Sequence, residues 1–245
     1  MVVPVETLEG YYSLHAAYTI NYEKWNGATQ EERTAAREAF EAFLAELEAE
    51  HGEKKSSYAC YHLVGGKGDI LLWLLDRTLE GVAQKENKLD QSPMGRFLTK
   101  GYSFVSVIEL SNHMQQSMDH PMVRARLYPE IPKKKYICFY PMNKKRGEEN
   151  NWFTLTQEER STLMRSHGMT GRKYEGLIQQ FITGACGLDN WEWGVTLMAE
   201  DALQFKKIVY EMRFDEVSAK YGEFGNFFVG VLPDETTWER VFPQK

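Results

Sequence analysis

Five residues occur twice in the chain, and that repeat constrains the fold more than any other feature. Thr29-Gln30-Glu31-Glu32-Arg33 is matched letter for letter by Thr156-Gln157-Glu158-Glu159-Arg160. Each copy is a capping box, in which the threonine hydroxyl and the glutamate three residues on satisfy the free amides of a helix start. Loss of such a cap costs about 1 kcal/mol. Each predicted helix closes in His-Gly, at His51-Gly52 and at His167-Gly168. Each follows a related strand end, Tyr18-Thr19-Ile20-Asn21 in one case and Tyr140-Pro141-Met142-Asn143 in the other. Helix starts favour these residues, so the short identity alone is weak. Agreement in the order of elements around it makes duplication the better account.

Around the first copy, alternation and turn signals predict strands over 8–20, 57–64, 69–76 and 102–110. Helices are predicted from Thr29, over 78–88 and as a turn over 93–100, and Gly65-Gly66-Lys67-Gly68 reads as a hairpin turn. The first helix carries Ala36, Phe40, Phe43, Leu44 and Leu47 on one stripe. Around the second copy, strands are predicted over 136–142, 177–183, 191–198 and 224–231. Helices start at Thr156 and cover 200–214, the latter with Ala202, Phe205, Val209 and Met212 on one stripe. Strand, helix, strand, strand, helix, strand is the ferredoxin-like order. The fold class is therefore α+β, with two ferredoxin-like units over 1–110 and 133–245 and a linker over 111–132 that is rich in Met, His and Pro. Each unit leaves one sheet face bare, so the halves should pack together. The second half has the longer polar insertion, Lys144 to Asn151, and tryptophans at 191 and 193. That asymmetry assigns the site to the second half and the scaffold to the first.

The 245 residues are 42% hydrophobic and 26% charged, a globular composition. A net charge of -6 argues against a general binder of nucleic acid or acidic membranes. Cys60, Cys138 and Cys186 are scattered and form no C-x-x-C, which fits reduced thiols in a cytosol. The N-terminal residues show no signal-peptide pattern. No stretch approaches the roughly 20 apolar residues of a membrane helix. A soluble cytoplasmic protein with no integral membrane segment is expected.

In the strand from Tyr136, alternation puts Tyr136, Cys138, Tyr140 and Met142 on one face, with Lys144 following. An apolar face thus ends in a phenol, a thioether and an ammonium where the chain leaves the sheet. An ordinary strand with a solvated basic turn shows the same pattern. His167 shares a helix face with Leu163 and Met164. It reads either as a capping or core histidine or as a single axial ligand to a metal cofactor. Haem needs one imidazole, apolar walls and basic groups for its propionates. Met142, Leu163, Met164, Trp191 and Leu197 offer walls, and Arg126, Lys144, Lys145, Arg146, Arg172 and Arg213 offer bases. Gln179 and Gln180 point to opposite faces, so one amide turns inward, either to bridge backbone or to meet a small iron ligand. Arg213 and Ser218 are within reach of a carboxylate, or form a solvated cap. Zinc spacing, H-E-x-x-H, G-x-S-x-G, G-x-G-x-x-G and G-K-[ST] are all missing.

With Tyr-Pro-Met-Asn-Lys-Lys-Arg at 140–146, Ser-His-Gly-Met-Thr-Gly-Arg at 166–172, Gln179-Gln180, Arg213 and Ser218, the chain resembles the coproheme decarboxylases of the chlorite dismutase-like superfamily. The likeness covers essentially the whole chain. It implies a duplicated ferredoxin-like fold of the dimeric α+β barrel type and a homopentamer. It implies His167 as proximal iron ligand, Gln180 on the distal side and Tyr140 as catalytic tyrosine with Lys144 assisting. Arg126, Tyr140, Pro141, Met142, Asn143, Lys144, Gln180, Arg213 and Ser218 are implied as contacts of the porphyrin. The oxygen-evolving chlorite dismutases carry a distal arginine where Gln180 stands, which counts against chlorite chemistry. The implied reaction is the hydrogen-peroxide-dependent decarboxylation of two propionates of iron coproporphyrin III (coproheme) to vinyls, giving haem b. A coproporphyrin ferrochelatase is the candidate donor of the substrate. Two other classes stay open: a haem-binding or haem-transfer module without turnover, and a scaffold whose sheets only mediate assembly.

Overall fold

The computed structural model describes residues 8–110, 120–234 and 236–244. It divides into two units, one of residues up to Pro132 together with those from Gly230 onward, the other of Lys133–Val229. The first contains β1 (Leu8–Ile20), α1 (Tyr22–Gly27), α2 (Gln30–Gly52), β2 (Ser57–Val64), β3 (Ile70–Asp76), α3 (Leu79–Asp90), β4 (Leu98–Leu110) and α4 (Pro121–Leu127). Its sheet is antiparallel in the order β4-β1-β3-β2. The capping box of α2 is formed, with the Glu32 amide donating to Thr29 Oγ1 at 3.2 Å and the Thr29 amide donating to Glu32 Oε2 at 2.9 Å. Ala36, Phe40, Phe43 and Leu47 of α2 are buried in one core with Leu14, Ala16 and Tyr18 of β1 and Ile70, Leu72 and Leu74 of β3.

The second unit repeats the plan with β5 (Tyr136–Lys144), α5 (Gln157–Arg172), β6 (Gln179–Gly184), β7 (Trp193–Ala199), α6 (Leu203–Met212), a π-helical turn (Val217–Tyr221), β8 (Gly222–Phe224) and β9 (Phe228–Val231). Its antiparallel order, β6-β7-β5-β8, is that of the first sheet, element for element. The capping box of α5 is formed as well. The fold is thus α+β with the ferredoxin-like arrangement present twice.

Four details depart from the sequence expectations. The C-terminal stretch does not stay with the second unit. Helix α7 (Thr237–Val241) and Phe242 join the first core, where Phe242 packs against Trp25 and Phe40 and the Trp25 indole donates to the Pro243 carbonyl at 2.8 Å. The linker expected over 111–132 contains α4, which Pro121 starts from its favoured first position and the His120 ring caps; residues 111–119 lie outside the described residues. Helix α5 runs past His167-Gly168 to Arg172, because the positive backbone angle that ends the segment sits at Gly176 (φ 80) and not at Gly168. The last strand is two short ones, β8 and β9, broken at 225–227.

Helix α4 lies on β1 at a bulge, between Glu9 and Tyr12, where only a glycine fits. A Cβ on Gly10 would sit 1.9 Å from the Leu127 carbonyl oxygen. Arg77 lies between the rings of Tyr11, 5.7 Å away, and Tyr128, 4.8 Å away, and closes the same corner. Gly10→Ala is therefore expected to push α4 off the strand and lower stability by about 1–3 kcal/mol. Urea unfolding of the variant measures it, and an unchanged midpoint would contradict the contact.

Candidate functional site

The duplication supplies an internal control, because each element of the second unit has a counterpart in the first. Helix α2 buries four side chains, Ala36, Phe40, Phe43 and Leu47. Its counterpart α5 buries none. Leu163 is only half-buried, against Trp152, Val217 and Tyr221, while Met164 and Met169 are 43% and 59% exposed. Just after the helix, Tyr174 and Ile178 reach the core that α6 makes with the sheet. Helix α5 is thus attached at its sides and end, with its apolar residues uncovered.

The sheet face on that side carries Tyr140. Pairing places Tyr140 opposite Val195, and Val195 opposite Ile182. Cys138, Leu197 and Gln180 form the next such row. Residues directly opposite each other share a face, so Tyr140, Met142, Lys144, Gln180 and Ile182 lie on one side. Helix α6 covers part of it with Phe205 and Ile208. Ile182 is left 50% exposed, and Gln180 is exposed too.

Tyr140 and its counterpart Tyr18 have diverged in one respect. Tyr18 is 1% exposed, and its hydroxyl donates to Asp90 Oδ1 at 3.2 Å. Tyr140 is 8% exposed, but its hydroxyl makes no hydrogen bond to a described residue. Its ring is held by stacking on Phe227, centroids 4.3 Å apart, with Phe224 tilted at 6.0 Å. Burial pushes the phenol well above its ordinary pKa, with Cys138 adding to the effect and Arg213 opposing it.

Lys144 is the second strained group. Its ammonium sits 4.8 Å over the Trp152 ring and bonds no carboxylate among the described residues. Burial lowers its pKa from 10.5 to about 8, against the pull of Asp215. Arg213 stacks on Phe224 at 3.8 Å, again with no acid bonded among the described residues. Ser218 is 9% exposed within the π-helical turn, a feature common at functional sites.

His167 is half-buried on α5, and its Nδ1 lies 2.7 Å from Asp215 Oδ2. An ionised carboxylate only accepts, so Nδ1 carries the proton and, in the neutral ring, Nε2 keeps its lone pair. That nitrogen has no partner among the described residues. Asp215 is held in turn by the Ser218 amide at 3.3 Å. In the register set by the two capping boxes His167 stands where α2 has Phe40; the histidine that closes α2, His51, has its Nδ1 3.0 Å from the Ser57 hydroxyl. No group of three or more His, Cys, Asp or Glu is gathered among the described residues. A metal bound through His167 would have to bring most of its own ligands, as an iron porphyrin does.

Other expected site residues lie elsewhere. Pro141 and Asn143 point to the opposite face of β5. The Pro141 ring lies against Gly225, and Asn143 Oδ1 accepts the Glu192 amide at 2.8 Å. Trp191 also lies against Gly225. Arg126 is exposed on α4 of the first unit. Sequence reading missed Asp215, Trp152, Phe224 and Phe227. None lies on a periodic stripe, and only the aromatic richness of the segment hinted at the last two.

A half-open apolar slot with an unpartnered imidazole nitrogen, a phenol and two cations fits a flat, anionic, metal-bearing ligand. The family model for chlorite dismutase matches residues 33–232, and the chain belongs to that family. A haem-binding protein from Thermus thermophilus is 46% identical, with a TM-score of 0.92 over 98% of this chain and 97% of that one. A chlorite dismutase from Candidatus Nitrospira defluvii, in complex with imidazole, shares the fold at 20% identity, with a TM-score of 0.75 over 96% of this chain and 95% of that one. No described helix is long and apolar enough to cross a membrane.

The lysine sets a pH test. Between about pH 8 and 10.5 the unfolded chain holds the Lys144 proton and the folded chain does not, so stability rises with pH across that window. Below about pH 8 the amine is charged in both states and the whole penalty, about 3 kcal/mol, is felt. Lys144→Met should therefore stabilise the ligand-free protein at pH 7, and the gain should shrink towards pH 10. Urea unfolding at the two pH values checks both signs.

Proposed function

We propose that the second unit binds iron coproporphyrin III through His167 and, with hydrogen peroxide, converts two of its propionates to vinyls, yielding haem b. The observation that carries this reading is Tyr140, its ring held by Phe227 and its hydroxyl bonded to no described residue, on a sheet face that α5 leaves open. The hydroxyl of its counterpart Tyr18 donates to Asp90 at the end of α3. The haem-binding relative at 46% identity supports a porphyrin as the ligand.

His167 would supply Nε2 to the iron, with Asp215 fixing the ring and raising its basicity. Lys144 and Arg213 would take propionates, each charge-assisted contact being worth about 1.5–3 kcal/mol. Arg126 is assigned to the same role by the resemblance alone. When bound, the iron porphyrin supplies the oxidising power of peroxide. Tyr140 is a poor base, since burial holds its proton, but a phenol can give up a hydrogen atom and take one back. It would take that atom from the propionate carbon next to the ring. Overall each propionate loses carbon dioxide, one proton and two electrons, while one hydrogen peroxide takes up two protons and those two electrons to become two waters. Lys144 would hold the departing carboxylate in place. Gln180 would face the open side of the iron as a neutral hydrogen-bond partner. Assembly as a homopentamer, a cytoplasmic location and delivery by a ferrochelatase belong to the same reading.

His167→Ala should remove the iron–histidine Raman band of the ferrous complex and weaken porphyrin binding by tenfold or more, about 1.4 kcal/mol. A retained band would rule out this ligand. Tyr140→Phe should keep porphyrin affinity within about threefold yet lower vinyl formation by about a hundredfold. Mass spectrometry of the porphyrin after stoichiometric peroxide decides the matter. Wild-type protein that returns iron coproporphyrin unchanged would instead be a binding or transfer module, and an absent Soret shift would mark a scaffold.

A further inference from the structure

Helix α5 has no seat on the sheet, so another contact must set its distance from it. Two ties run from α5 to the α6 segment. His167 meets Asp215 at 2.7 Å. Seven residues further on, the Tyr174 hydroxyl donates to Glu211 Oε2 at 2.9 Å, and the Lys173 ammonium bonds the other oxygen of the same carboxylate. Between the ties Gly171 faces Met212, the place of a Cβ lying 3.4 Å from Met212 Cε, so the two helices are in contact there. Helix α6 is itself seated, through Phe205 and Ile208 in the core with Cys138, Tyr140 and Leu197. Support therefore runs from the sheet to α6, from α6 to Glu211, and from Glu211 to α5. The two bonds to Lys173 and Tyr174, in that order, hold the Glu211 carboxyl below its usual range.

We propose that Glu211 is a positioning residue: its bridge to Lys173 and Tyr174 fixes the width of the slot between α5 and the sheet before any ligand arrives, and so sets how fast a porphyrin leaves. Glu211 touches neither porphyrin nor iron. The porphyrin half of this statement rests on the function proposed above; the bridge itself does not. Exposed ion pairs add little to global stability, and here the Lys173 and Glu211 side chains are 62% and 35% exposed. What the bridge restricts is one helix that buries no side chain. Fixing such an element in its bound position lowers the ordering cost of binding.

The test is Glu211→Ala, with Glu211→Gln beside it. In ligand-free protein the amides of α5 should exchange with deuterium about tenfold faster in the alanine variant, while the unfolding midpoint stays close to wild type. Loaded with iron coproporphyrin, the variant should lose it about tenfold faster. The ferrous iron–histidine band should keep its position, because Asp215 still orients His167. Glutamine keeps an acceptor for Tyr174 and should restore most of both effects. Unchanged exchange in α5 overturns the proposal, and so does a lowered midpoint with faster exchange throughout the chain. If wild-type protein takes up no porphyrin, the proposed function fails, while the exchange measurement still decides the role of Glu211.

Discussion

A helix with an apolar side must put that side against something, and in this protein the two copies of one helix do so differently. In the first unit α2 lays Ala36, Phe40, Phe43 and Leu47 into the core. Full burial of such aliphatic and aromatic side chains contributes about 1.5–3 kcal/mol each. In the second unit α5 forgoes that gain. It begins with the same five residues and the same capping box, but at the positions of Ala36, Phe40, Phe43 and Leu47 it carries Leu163, His167, Thr170 and Tyr174. The openness of the second unit follows from that substitution of side chains on one helix face. The sheet beneath is left partly open at Gln180 and Ile182, beside Tyr140, whose hydroxyl bonds no described residue, and half-buried Lys144, which sits over the Trp152 ring.

Free energy given up in this way has to be recovered for the arrangement to persist, and the first unit shows where. It has the larger buried core, with Trp25, Trp73, Tyr18, Tyr61, Phe40 and Phe104 among its fully buried side chains. Its tyrosine at the duplicated strand end, Tyr18, donates its hydroxyl to Asp90. Scaffold and site are thus two states of one plan. Tyr140, whose hydroxyl bonds no described residue, is the counterpart of Tyr18, whose hydroxyl is taken up by Asp90.

Much of this was legible in the sequence, because its carriers are periodic or local. The capping boxes at Thr29 and Thr156 fixed both helix starts, alternation fixed the face of Tyr140, Met142 and Lys144, and Leu8–Ile20 and Ser57–Val64 were bounded by clear turns. What escaped depends on tertiary position. Pro141 and Asn143 sit inside the motif yet face away from Tyr140, since a motif is contiguous and a strand face is not. Asp215 meets His167 across 48 positions, and no spacing rule reaches that far. Gly168 misled as a helix end because glycine permits a stop without requiring one; the segment continues until Gly176 takes up positive φ. The return of α7 to the first unit is of the same kind, an apolar surface matched to a core that was left incomplete far upstream.

That return has a consequence for synthesis. Residues 133–229 form a contiguous unit and can collapse as soon as they leave the ribosome. The first unit cannot, although it is made earlier: Trp25 and Phe40 wait for Trp238 and Phe242, and the Trp25 indole waits for the Pro243 carbonyl. For the whole time that the second unit is being translated, the first holds an aromatic socket open to solvent. Its finishing step belongs to residues made after the second unit, so the earlier scaffold is the later one to lock.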